Sequence, residues 1–271
     1  MFIVISHSQD ISAAKLVASW PGGDAALLTA EDLSTAGWWQ AWPDDPAMGL
    51  PPATAIAGGR SVPTDEITGV LTRWPRFLEQ ELTGINQADR AFVAAEMTAF
   101  MTAWLAQLPC PVLNRPTSLS LCGPPWRREE WVHRACALRI PVVPARRTAA
   151  FTSPRGASPT EAPQPPTNVT VVAKFHSRPP LWGHSLHSPR SVDSLESYHS
   201  FGDADPQLHR HARNLAAATG LGLLQVSFDG SGSEGRFTGA SLWPPVHEPP
   251  ISTSLHQYFQ AAELGRRHAP V

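Results

Sequence analysis

Short apolar runs bounded by Gly, Pro, Ser or Asp alternate in this chain with stretches whose apolar residues recur at helical spacing. Phe2-Ile3-Val4-Ile5 is a continuous run that suits a strand buried on both faces. Ser8 is placed to cap a helix reaching Trp20. Residues 25–28 read as a second strand. Residues 53–57 and 60–62 read as a hairpin, because Gly58-Gly59 between them supplies the positive φ of a tight turn. Residues 69–71 follow as another strand. Between 88 and 108, Phe92, Val93, Met97, Phe100, Met101, Trp104, Leu105 and Leu108 share one helical face. Residues 110–144 read as a buried strand, a turn at Asn114-Arg115-Pro116, a helix led by Trp126 and ended at Arg139, and a second short strand.

Residues 148–168 break the pattern. Pro154, Pro159, Pro163, Pro165 and Pro166 stand among Ser, Thr, Ala and Gly, a composition that predicts a flexible linker. Beyond it, 168–175 reads as a strand and 205–219 as a helix with Leu208, Ala212, Leu215 and Thr219 in line. A strand over 221–228, a loose turn over 230–235 and a partner strand over 236–242 form a hairpin. Residues 252–267 close the chain as a helix capped by Ser252 or Thr253. The pattern divides the chain into an α/β unit (1–147), the Pro-rich linker (148–168) and a second unit (169–271).

Composition narrows the class. The 271 residues are 42% hydrophobic with a formal charge of −2, which offers no electrostatic case for nucleic acid or an anionic membrane. No apolar run approaches the length of a membrane span, and residues 2–5 are too short for a signal-peptide core. Three cysteines, Cys110, Cys122 and Cys136, favour a reducing, cytoplasmic setting over a disulfide framework. Lys15 and Lys174 are the only lysines. Arginine's fork binds phosphate well, yet the simplest source of the bias is a GC-rich coding sequence.

Several fragments, in order, resemble the ATP-grasp superfamily, nearest to RimK-type ligases and the ligases that cyclise graspetide peptides. Residues 67–75 are similar to the strand that family places before its long helix. Asp89-Arg90 and Ala95-Glu96 resemble that helix, and Val112-Leu113-Asn114-Arg115-Pro116 resembles its Asn-x-Pro turn. Residues 221–228 and Pro244-Pro245 are similar to the final catalytic hairpin. The fold implied is α/β: an N-terminal pre-ATP-grasp-like domain, then a truncated ATP-grasp-like core with an antiparallel sheet. The family phosphorylates a carboxylate with Mg·ATP, then joins it to an amine or hydroxyl, and so needs Asp, Glu and Asn ligands at the hairpin.

Those positions differ here. The resemblance sets the family's Asp on Ser227, and its Glu and Asn on Ser241 and Trp243. A serine hydroxyl is a poor ligand for a hard dication, and an indole is none. The segment between 144 and 169 offers only the Pro-rich linker where the family carries its nucleotide-binding subdomain. The resemblance thus implies a non-catalytic relative without a cofactor, an accessory to a protein or peptide partner such as an active biosynthetic enzyme. The alternative is a divergent carboxylate–amine ligase using ATP and Mg²⁺. Arg127, Arg128 and Lys174 would then hold phosphate, and Asp229 with Glu234 or Glu248 the metal.

Other residues carry paired readings. His176, His184, His187, His199, His209 and His211 could supply metal ligands, but no zinc-module spacing is present and a solvated set is the commoner outcome. Ser6-His7-Ser8 follows the first strand, where open α/β sheets bind ligands. Trp38, Trp39 and Trp42 suit either a partner-binding loop or a local cluster over the sheet edge.

Overall fold

A computed structural model describes residues 1–39, 53–145, 166–174 and 197–267. A four-stranded parallel sheet has the order β2-β1-β5-β6, from β1 (Phe2–Ile5), β2 (Ala25–Leu28), β5 (Gly69–Thr72) and β6 (Val112–Leu113). β3 (Thr54–Ala57) and β4 (Arg60–Pro63) form a separate hairpin. Gly58 and Gly59 take φ of 58° and 70°, the two positive values a two-residue hairpin turn requires.

Every residue of β1 is buried because both faces of its sheet are covered. Ile3, Ile5 and Val70 pack with Met101, Trp104 and Leu105 of α3 (Arg90–Gln107). Phe2, Val4 and Leu71 face α1 (Ile11–Ser19) and the C-terminal helix α6 (Pro249–Arg267). Phe259 of α6 lies so close that a Cβ at Gly69 would overlap its ring. The predicted face of α3 holds from Val93 onward, whereas Phe92 turns outward and is 69% exposed. It sits in the first turn of the helix, beyond the edge of the sheet's packing surface. α2 (Ala30–Leu33) begins on a capping box in which Asp32 accepts from the Thr29 N–H, while its other oxygen accepts from Gly59 N–H.

An antiparallel sheet of order β10-β9-β7-β8 carries the second half, from β7 (Thr167–Ala173), β8 (Tyr198–Phe201), β9 (Leu223–Phe228) and β10 (Phe237–Ser241). Val169, Val171, Leu224, Val226, Phe228 and Phe237 fill one face against α4 (Arg128–Ala137) and α5 (Pro206–Thr219). α5 matches its sequence signature: Asp205 caps it by accepting from Gln207 N–H, Pro206 opens it, and Gly220 at φ 69° ends it. The short strand expected after α4 is one parallel bridge, Val142 to Phe237, at the edge beside β10.

Two expected caps are corrected. Asp10, not Ser8, caps α1 by accepting from Ala13 N–H at 3.0 Å. A carboxylate there also complements the positive helix end, which a serine does less well. α6 starts at Pro249, so Ser252 and Thr253 lie inside the helix, and the buried Ser252 Oγ accepts from the Trp20 indole N–H at 3.1 Å. Of the expected linker 148–168, residues 148–165 lie outside the described residues, as do Trp42, His176, His184 and His187, whereas Thr167 and Asn168 already belong to β7.

The two sheets are stitched at Asn114, the first residue of the Asn-x-Pro turn. At φ 54° its side chain reaches β9, donating to the Leu223 carbonyl at 2.7 Å and accepting from the N–H groups of Gly222 and Leu223 at 3.0 and 3.1 Å. Asn tolerates this left-handed backbone better than most residues. Asn114→Ala strands the buried Leu223 N–H and carbonyl and the half-buried Gly222 N–H, and should lower unfolding free energy by about 2–4 kcal/mol in urea titrations. A loss below about 1 kcal/mol would show that the stitch is dispensable.

Candidate functional site

The parallel sheet reverses its strand order between β1 and β5, with β2 on one side and β6 on the other. The crevice at the carboxyl ends of such strands is where open α/β sheets bind ligands. Here side chains and a returning loop fill it. Arg73, directly after β5, is 6% exposed and donates from Nε to Asp10 Oδ2 at 2.8 Å and from Nη1 to the Pro244 carbonyl at 2.9 Å. Trp243 donates its indole N–H to the Arg73 carbonyl at 3.0 Å, and its backbone N–H to Ser241 Oγ at 3.1 Å. His247 Nδ1 lies 2.9 Å from Ser12 Oγ on α1. Ser6 is fully buried; its Oγ donates to the neighbouring His7 carbonyl at 3.3 Å and its N–H to the Leu28 carbonyl at 3.1 Å. The loop after β10 is thereby bolted to the first sheet.

The second surface is the face of the antiparallel sheet turned away from α4 and α5. Residues paired across strands project to one side, so the register sets Asn168, Ser227 and Gly239 in one row, and Thr170, Gln225 and Ser241 in the next. Ser227 Oγ donates to Asn168 Oδ1 at 2.7 Å. Every member of both rows is uncharged at neutral pH. Hydroxyls and amides can hydrogen-bond a polar ligand, but they do not neutralise a triphosphate or replace the carboxylates Mg²⁺ prefers. Among the described residues no three His, Cys, Asp or Glu side chains converge.

The remaining candidates are dispersed. Asp229 closes the β9–β10 turn, accepting from the Arg236 N–H on one oxygen and from Arg236 Nε, at 2.9 Å, on the other. The Arg236 backbone N–H, then its guanidinium, hold this carboxyl below the ordinary aspartate range despite slight desolvation. Glu234 is exposed in the same turn, and Glu248 sits ahead of α6 with its carbonyl accepting from Ile251 and Ser252. Arg127 precedes α4 with its N–H on Glu130, and Arg128 Nε donates to the Thr238 carbonyl at 3.0 Å. Lys174 follows the far end of β7, roughly 20 Å along the strand from that corner. These three cations do not meet.

Trp38 packs inward, edge-on to Phe100 and Trp104, with its indole N–H on the Asp32 carbonyl at 2.9 Å. Trp39 is 41% exposed and pairs its backbone with Thr54. His199 lies over Phe201, while His209 and His211 lie on α5. Sequence reasoning missed Arg73 and Asp10. An arginine directly after the buried run Gly69-Val70-Leu71-Thr72 was the available signal, since a buried guanidinium demands a partner.

With a parallel sheet, an antiparallel sheet and α4 between them in sequence, this chain has a fold similar to that of solved ATP-grasp ligases. The macrocyclase MdnC from Microcystis aeruginosa MRC, bound to its precursor peptide MdnA, superposes with a TM-score of 0.54 at 11% identity, over 99% of this chain and 100% of that one. A RiPP-associated ATP-grasp ligase from Chryseobacterium gregarium, in complex with ADP and a leader and core peptide, gives 0.58 at 12% identity, over 99% and 97%. The ATP-grasp ligase PsnB, complexed with a minimal precursor, gives 0.51 at 10%, over 96% and 98%. No protein-family model and no curated protein matches the sequence.

Burial raises the Asp10 carboxyl pKa, but the Arg73 hydrogen bond, the Ala13 N–H and the Arg73 charge outweigh it and leave it below the ordinary value. A carboxyl lowered on folding stabilises above its unfolded pKa, and that contribution fades as pH falls through the folded one. Replacing Asp10 leaves a buried guanidinium without its counter-charge, at a cost of about 3–5 kcal/mol. Wild type should therefore exceed Asp10→Asn in stability at pH 7, with the gap narrowing below about pH 4. A gap constant with pH, read from urea midpoints, would contradict an ionic junction.

Proposed function

We infer that this protein is a non-catalytic ATP-grasp-like protein that binds a peptide or protein partner in peptide modification or specialised metabolism, as an accessory to an active enzyme. The observation that carries the reading is the chemistry of the antiparallel face. Ser227 is hydrogen-bonded to Asn168, Ser241 accepts from Trp243, and Trp243 is spent on the Arg73 carbonyl. Residues that the family resemblance assigns to Mg²⁺ thus serve neutral pairing and the junction between the sheets. In this reading residues 1–147 keep the α/β half, 169–271 keep a truncated core, and 148–168, whose last two residues already pair in β7, link them without a nucleotide-binding subdomain.

Support for a peptide partner comes from the neighbours, whose structures hold precursor, leader or core peptides. A divergent ligase built on Asp229 and Glu234 would first have to release Asp229 from Arg236. It would also need phosphate-binding cations drawn from opposite corners of the sheet. Among the described residues no helix is long and apolar enough to cross a membrane.

Isothermal calorimetry with Mg·ATP tests the non-catalytic reading. No saturable heat up to millimolar nucleotide is the expected result. Binding at micromolar concentration would overturn it and favour a working ligase.

A further inference from the structure

We draw no further inference here: the strongest candidate, the outward face of α3, where Phe92 is 69% exposed and Ala95, Ala99 and Ala103 are exposed along the same helix, carries none because nothing in the structure shows what covers it.

Discussion

A single buried guanidinium sets the arrangement of this molecule. Arg73 stands where β5 leaves the parallel sheet, and a cation so enclosed must be paired and hydrogen-bonded or it destabilises the fold by several kcal/mol. Its partners come from distant parts of the chain: the Asp10 carboxylate at the head of α1 and the Pro244 carbonyl beyond β10. Satisfying Arg73 therefore fixes where the C-terminal loop lies. It also brings Trp243 over the strand end and Val246 into the core shared with β1 and α6. The crevice that an open α/β sheet leaves for a ligand becomes the joint between two halves.

That joint has a consequence for chemistry. The loop after β10 is where the resemblance to ATP-grasp ligases sets metal ligands, and here its polar atoms are spent on structure. The antiparallel face keeps hydroxyls and carboxamides in register across three strands, and among the described residues the charged side chains named above lie at its margins: Asp229 and Arg236 at the turn, Arg128 at the β10 edge, Lys174 at the far end of β7. Such a face hydrogen-bonds neutral polar groups and does little to screen phosphate charge. Beside it a groove between β8 and α6 is lined by His199, Phe201, Pro249 and Pro250.

Local signals in the sequence found the elements whose cause is local. The run Phe2–Ile5, the Gly58-Gly59 turn and the apolar spacing of the 205–219 helix each follow from residue chemistry within a few positions, and each is present. Errors arose where two nearby residues competed for one role or where packing ended. Ser8 and Asp10 are both good caps, and the choice between them is made by Arg73, sixty-three residues away. Phe92 fits the helical period of α3 but lies beyond the surface that the period serves. The Asn114 turn was legible as a motif, while its bonds to Gly222 and Leu223 were not, because no local pattern encodes a contact across the two halves. The docking of α6 on β1, through Phe259 against Phe2, was hidden for the same reason.

The central proposal is that the face bearing Asn168, Ser227 and Ser241 does not hold a divalent ion with nucleotide. Manganese, which takes the same oxygen ligands as magnesium and broadens nearby nuclear resonances, reads that face directly. Titrating Mn²⁺ with ATP into the ¹⁵N-labelled protein should leave the amide signals of Asn168, Ser227 and Ser241 no more broadened than those of the remote β3–β4 hairpin. Selective loss of those three signals at micromolar manganese would contradict the account and restore this face as an active site.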